Sequence, residues 1–386
     1  MTNFGLDEEV KIYTGNDNDR DLPISVSDWR EKARNKLSKE AWGYLEGGAG
    51  SEETVRENRR AFRRWKIRPR YLLDVNDRDL SVTLFGKRHE TPFILAPIGV
   101  QEILNPEGEA ATARAASHLG IPFVLSTVSS VSIEDIASIM GDSERWFQLY
   151  PGKDKNIMKS MIERAENSGY SAIVVTVDTT MLGWRERDLE NAYLPFLEGK
   201  GIINYITDPE FRKRLKKNPK EDMQAAIMEF LAVYVNPSFS WTDFAEIRKW
   251  TELPILIKGI THPDDVELAF KNGADGVIIS NHGGRQVDGA MSSIDALSLV
   301  DTEAYADKIF LLDSGIRHAA DAVKALAMGA SAVLIGRPYA YALSVAGSKG
   351  VERFMSMLRA EMDLQMALAG FRHISELNRS AIYRSR

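Results

Sequence analysis

The sequence predicts an α/β fold, specifically a (β/α)8 barrel, and three observations lead there. Eight short apolar runs rich in β-branched residues follow one another from residue 92 onward, amphipathic stretches of helical period separate them, and several of those stretches close on glycine. Each run is apolar on both faces, as a parallel strand buried between helices and a barrel interior must be. An open doubly wound sheet fits the same alternation, but only eightfold closure removes its edges.

In chain order the runs are PFILAPIG from Pro92, PFVLST from Pro122, RWFQLY from Arg145, AIVVTVD from Ala172, PILIKG from Pro254, GVIISN from Gly276, KIFLLD from Lys308 and AVLIG from Ala332. Between them EGEAATARAASHLG, KNIMKSMIERAENSG, HPDDVELAFKNG and HAADAVKALAMG read as helices with a glycine in the C-capping position. Residues 1–90 precede the repeat: SDWREKARNKLSKEAWGYLEGG predicts a helical cap, and DLSVTLFGKRHETP a hairpin sealing the bottom of the barrel. Residues 91–386 make the barrel. From Val177 to Pro254 the spacing between runs rises to about three times its usual value. An insertion there, about 180–240, falls on the face where the strands end and reads as a lid.

Composition narrows the function. The chain has 386 residues, with 49 Lys or Arg against 55 Asp or Glu and a net charge of −6, which argues against a dedicated nucleic-acid binder. The basic run Arg56–Arg70, interleaved with Phe62 and Trp65, reads as a charged helix face rather than a nucleic-acid site. Hydrophobic residues at 44% and charged ones at 27% exclude a disordered chain. With 0 Cys there are no thiolate metal sites, iron–sulfur clusters or cysteine nucleophiles. The start, MTNFGLDEEVKIYTG, lacks the pattern of a signal peptide, and nothing approaches about 18 uninterrupted apolar residues. No membrane partner is expected, and the expected location is cytoplasmic.

Barrel chemistry sits at the C-terminal ends of the strands. Polar or glycine positions there are Gly99; Ser126 and Thr127; Gln148 and Tyr150; Thr176 and Asp178; Lys258; Ser280, Asn281 and His282; Asp313, Ser314 and Gly315; and Gly336 with Arg337. DSGIR and IGRP, after the last two strands, are Gly-rich turns that open helices and carry one Arg each, the makings of a phosphate site. His282, in SNHGGRQVDG, has no HxxxH partner and suits acid/base work better than a metal; no metal site is expected. Asp178 can orient it and stabilise its charged form. Lys258 has two functional readings, a Schiff-base lysine or a fixed positive charge beside a cofactor that becomes anionic, and a structural one, a buried ion pair.

With those residues in place, the chain resembles the FMN-dependent 2-hydroxy acid oxidase and dehydrogenase family from Trp42 to its C-terminal helices. LAPIG, FQLY, TVDT, LGWRERD, LIKG, SNHGGRQ, LDSGIR and IGRP occur in the family's order. Gly99, the TTMLGWRERDL turn, LPFLEG and YITDPEF are most similar to its lactate 2-monooxygenase branch. The resemblance implies FMN across the strand ends, its ring against Ala96, Pro97 and Ile98, with Ser126, Gln148, Thr176 and Ser280 as polar contacts and Lys258 at the pyrimidine edge. Asp313, Ser314, Gly315, Arg317, Gly336 and Arg337 would hold the phosphate. Arg185 and Arg285 would clamp the carboxylate of a small 2-hydroxy acid, Tyr44 and Tyr150 would hydrogen-bond it, and His282 would take its hydroxyl proton. Dioxygen would be the oxidant. Gly99 would leave space beside the flavin and, with the lid, retain the keto acid for decarboxylation to acetate; otherwise pyruvate and hydrogen peroxide leave. The implied assembly is a homotetramer or a multiple of it. Two departures concern the pocket and the phosphate turn: Val128 stands where some glycolate-preferring members carry Trp, and Ser314 replaces a family Gly. The rival readings are a 2-hydroxy acid oxidase or dehydrogenase that uses the same residues with another electron acceptor, a lysine-dependent aldolase built on Lys258, and a non-catalytic flavin protein.

Overall fold

In a computed structural model, which describes residues 3–385, the eight runs form eight strands paired in parallel into a closed barrel, as expected. They are β1 (Phe93–Leu95), β2 (Phe123–Ser126), β3 (Arg145–Leu149), β4 (Ile173–Thr176), β5 (Ile255–Ile260), β6 (Gly276–Ile279), β7 (Ile309–Leu312) and β8 (Ala332–Ile335). Side chains alternate along a strand, so every second residue enters the barrel. Ile94, Val124, Trp146, Val174, Leu256, Ile278, Leu311 and Leu334 form one inner apolar layer. It is a separate cluster from the larger core between strands and helices.

Two residues further along, the same alternation turns Ala96, Ser126, Gln148, Thr176, Lys258, Ser280, Asp313 and Gly336 toward the axis at the C-terminal mouth. The lower end is plugged by the hairpin Val82–Leu84/Lys87–His89, whose Leu84 joins the inner layer and whose Phe85 meets Trp146 edge-on at 5.9 Å.

The flanking helices start where side chains cap them. Ser132 accepts from the Asp135 amide, and Asp154 from the amides of Asn156 and Ile157. Arg337–Ala369, broken at Ala346 and Gly347, packs on Gly108–Leu119 and on the N-terminal helix Val26–Lys36. Before the barrel run the helices Phe4–Thr14, Val26–Lys36, Lys39–Glu46 and Glu53–Arg64; then Trp65–Ile67 pairs antiparallel with Ile382–Arg384, so the segment after the fourth helix and the last strand share one ribbon. The basic run is a charged helix face only as far as Arg64, where Arg59 meets Asp321 at 2.7 Å and Arg64 meets Glu57 at 2.6 Å; Lys66 lies on the strand Trp65–Ile67, and Arg68 and Arg70 follow it.

The insertion between β4 and β5 is a series of short helices ending in Met223–Tyr234 and Trp241–Ile247. It is fixed to the barrel. Asn204, wholly buried, accepts from the Ile133 amide at 3.0 Å and donates to Thr127 O at 3.1 Å, while buried Asp208 takes Ser160 Oγ at 2.7 Å and Arg164 Nη1 at 3.2 Å. No helix among the described residues is long and apolar enough to cross a membrane.

Candidate active site

A cleft of about 1170 Å³, its open mouth included, lies over the C-terminal ends of the strands. Tyr44 and the segment Ala96, Pro97, Ile98 and Gly99 line it, as do Tyr150, Arg185, Lys258, His282 and Arg285. Asp313, Ser314, Gly315, Arg317, Gly336 and Arg337 line its other part. Of the remaining sequence-derived positions, Ser126, Gln148, Thr176 and Ser280 are buried at the strand ends rather than on the wall, and Asp178 stands behind His282.

The loop after β6 carries the imidazole. His282, Gly283 and Gly284 have φ of 56°, 64° and 77°, so a histidine occupies the left-handed region that favours glycine, a strain characteristic of functional loops. Its Nδ1 lies 2.7 Å from Asp178 Oδ1, and Thr179 Oγ1 donates to the same oxygen at 2.9 Å. Burial presses the His282 pKa below 6.5 and outweighs the Asp178 carboxylate. Burial pushes Asp178 upward, but the charges of His282 and Lys258 hold it below the usual carboxylate value. The pair therefore rests as carboxylate and neutral imidazole: Nδ1–H donates to Asp178, and Nε2 is free to accept a proton.

Two guanidinium groups converge on the same space. Arg285 Nη1 donates to the carbonyls of Tyr44 at 2.6 Å and Gly47 at 2.8 Å, and its guanidinium lies over the Tyr44 ring at 5.0 Å. Burial, and then the charge of Arg185, lower the Arg285 pKa to about 9. An anion bound between the two cations relieves both effects. Arg317 is likewise pushed down, by burial and by Arg337 and Arg59, in the turn where a phosphate site is expected. Ser314 holds φ 67° there, its hydroxyl donating to Asp313 Oδ1 at 2.6 Å and accepting from the Gly283 amide at 2.9 Å. The guanidinium of Arg337 donates to the carbonyls of Leu45, Gly47 and Gly283 and so ties the helical cap to the loop after β6.

Lys258 Nζ lies 3.0 Å from Ser280 Oγ and 3.2 Å from Asp313 Oδ2. Burial lowers its pKa, but Asp313 and Asp178 raise it further, so it stays an ammonium. That favours the fixed-charge and ion-pair readings over a Schiff base, which needs the neutral amine.

Two polar atoms on the preceding strands, Gln148 Nε2 and Thr176 Oγ1, are buried without a hydrogen-bond partner. Such orphans are rare in a folded interior. A flat, polar-edged heterocycle over the strand ends would satisfy them, with the positive charge of Lys258 next to it and the Arg317 turn at the far end for a phosphate. The residues present fit FMN.

One expectation is corrected. The space expected beside Gly99 is taken: a Cβ there would stand 2.6 Å from both Val128 O and Val128 Cγ2. Glycine serves close packing of the loops after β1 and β2, where the Val100 amide donates to Val128 O at 2.8 Å although Val100 has φ 58°. The lid also supplies wall residues that sequence reasoning missed: Leu182, Leu194, Phe196 and Tyr234. Tyr234 packs on Tyr150 at 5.5 Å and on Phe196 at 5.5 Å. Thr179 was visible in TVDT, the segment that also carries Asp178, but nothing local marks it as the hydroxyl beside the imidazole.

A family model described as FMN-dependent dehydrogenase matches residues 33–384. An L-lactate oxidase of Lysinibacillus sphaericus is 43% identical over 356 residues, 92% of each chain. A glycolate oxidase of Spinacia oleracea is 40% identical over 93% of this chain and 95% of that protein. The crystal structure of a soluble mutant of the membrane-associated (S)-mandelate dehydrogenase of Pseudomonas putida superposes with a TM-score of 0.83 at 38% identity, covering 94% of this chain and 99% of that one.

Proposed function

Because this chain belongs to the FMN-dependent dehydrogenase family and is an FMN-dependent 2-hydroxy acid oxidoreductase, we propose that its substrate is L-lactate and that it converts lactate and dioxygen to acetate, carbon dioxide and water. The observation that carries the reading is the Asp178–His282 pair together with Arg185 and Arg285 around one cleft. When bound, FMN supplies the acceptor for the electron pair leaving the substrate α-carbon and passes that pair to dioxygen.

Gln148, Thr176, Ser126, Ser280, Ala96, Pro97 and Ile98 would hold the flavin ring, and Lys258 would supply a positive charge to it. Asp313, Ser314, Gly315, Arg317, Gly336 and Arg337 would hold its phosphate. Arg185 and Arg285 clamp the carboxylate, and Tyr44 and Tyr150 hydrogen-bond the carboxylate or hydroxyl. His282 Nε2 takes the hydroxyl proton, and Asp178 stabilises the resulting imidazolium.

Retention of the keto acid decides the products. Peroxide attacks the keto carbon of retained pyruvate; loss of carbon dioxide with cleavage of the O–O bond leaves acetate and water. The lid supports this outcome, because Leu194, Phe196 and Tyr234 of the insertion line the cleft and Asn204 pins the insertion to the barrel. Gly99 acts here through loop packing, not free space. The second reading, release of pyruvate and hydrogen peroxide, is favoured by similarity to an L-lactate oxidase. The assembly implied by the resemblance is a homotetramer or a multiple of it. Anaerobic addition of L-lactate to the yellow holoenzyme tests the substrate: the expected result is bleaching of the flavin absorbance, and an unbleached protein rejects L-lactate as substrate.

A further inference from the structure

Gln286 has no place on the wall of the cleft, yet its amide is fully committed around it. Its Oε1 accepts from Arg185 Nη2 at 3.0 Å and from the Gly183 amide at 3.3 Å. Its Nε2 donates to Asp178 O at 2.9 Å and to Met181 O at 2.8 Å. Four partners use the whole hydrogen-bonding capacity of a primary amide. Three of them belong to the segment joining β4 to the lid, and the fourth is the Arg185 guanidinium. The neighbouring backbone adds to the hold, since Arg185 Nε donates to Arg285 O at 3.2 Å. Nε and Nη2 are thus tied to residues 285 and 286, whereas Nη1 has only Asp188 nearby, at 3.9 Å and beyond hydrogen-bond range.

Two like charges in one buried space repel, and a long Arg side chain loses little by turning to water unless something holds it. A neutral amide can hold Arg185 without cancelling the charge that an anionic ligand needs; a carboxylate in its place would cancel it.

We propose that Gln286 is a positioning residue for the carboxylate clamp, fixing Arg185 through one end of its amide and latching the Asp178–Gly183 segment through the other. The proposal rests on the reading of Arg185 as a substrate-binding group.

The test replaces Gln286 by Met, similar in size and unable to make any of the four bonds, in the holoenzyme. The probe is oxalate, a small carboxylate that cannot be oxidised at an α-carbon, titrated by its flavin difference spectrum. The expected result is an oxalate dissociation constant and a KM for L-lactate each raised about tenfold, the loss of one hydrogen bond to a charged group. The flavin reduction rate at saturating lactate should stay within about threefold, the pattern of lost ground-state binding.

In an Arg185→Met background the same substitution should change oxalate binding by less than about twofold, because its effect runs through Arg185. Gln286→Asn, one methylene too short to reach Arg185, should reproduce the defect if the Met variant does not fold. Unchanged oxalate binding in Gln286→Met, or a full tenfold effect without Arg185, overturns the proposal. Bleaching of the wild-type holoenzyme by L-lactate tests the substrate reading separately, since the titration involves no turnover.

Discussion

At the scale of single residues, the site works through groups whose charge is set by their surroundings. His282 is neutral because burial outweighs its carboxylate partner, so the base proposed here is in its accepting form at neutral pH. Its folded pKa lies below 6.5. The rate of flavin reduction by L-lactate should therefore be level near pH 7 and fall as pH drops through that lowered value, which stopped-flow measurement of the pH profile would show. His282→Ala should keep FMN and lose about 10²–10⁴-fold in the anaerobic reduction rate; normal reduction would remove His282 from its role. Lys258→Met strands the Asp313 carboxylate in a buried site, an effect of about 3–5 kcal/mol. That variant should purify with less flavin per protein and a lower Tm. Lys258, His282 and Asp313 were legible in the sequence because each ends an apolar run with a charge or a ring nitrogen. Gln286 and Thr179 were not, because a neutral side chain shows its purpose only when folding brings its partners from about a hundred residues away.

At the scale of elements, the strands have a simple order hidden by burial. Every strand carries an apolar residue in the inner layer and, two positions on, the group that faces the mouth, from Ile94 and Ala96 to Leu334 and Gly336. Both faces being buried, the runs announce strands and closure but not which side faces the axis. The loop after β1 depends on Glu109, a wholly buried carboxylate that accepts from the Gln101 amide at 3.0 Å and the Ser130 amide at 3.2 Å. Burial lifts its pKa from 4.5 to about 7 against the pull of those amides. A carboxyl raised in the folded state contributes stability below its unfolded pKa and loses it as pH rises through the folded one. Between about pH 4.5 and 7 the loss amounts to about 3 kcal/mol. Urea unfolding across that range should show stability falling with rising pH, and Glu109→Gln should flatten that part of the curve. The lid was legible only as an interruption of the repeat. Its fastening was not, since Asn204 and Asp208 carry no local sign of what they hold. Asn204→Ala frees the lid and leaves the buried Ile133 amide unpaired, destabilising the fold by about 1–3 kcal/mol. The expected outcome is more pyruvate and peroxide per acetate formed, read by product analysis.

At the scale of the whole molecule, three parts of the chain distant in sequence close one site. The N-terminal cap brings Tyr44 and the carbonyls that hold Arg285 and Arg337, the barrel brings the Asp178–His282 pair and Lys258, and the insertion brings aromatic wall residues. Barrel closure and the family motifs were visible in the sequence because they repeat or stand in fixed order. The close packing at Gly99 was invisible, because what fills the place of its side chain is Val128, in the next strand's loop. The function proposed for this site requires it to keep the keto acid until peroxide has attacked it. The most direct test is the aerobic stoichiometry of the holoenzyme with L-lactate, following oxygen, acetate, carbon dioxide, pyruvate and hydrogen peroxide together. Acetate and carbon dioxide equal to the lactate consumed, with little peroxide, is the predicted result; pyruvate matched by peroxide, without acetate, would contradict it.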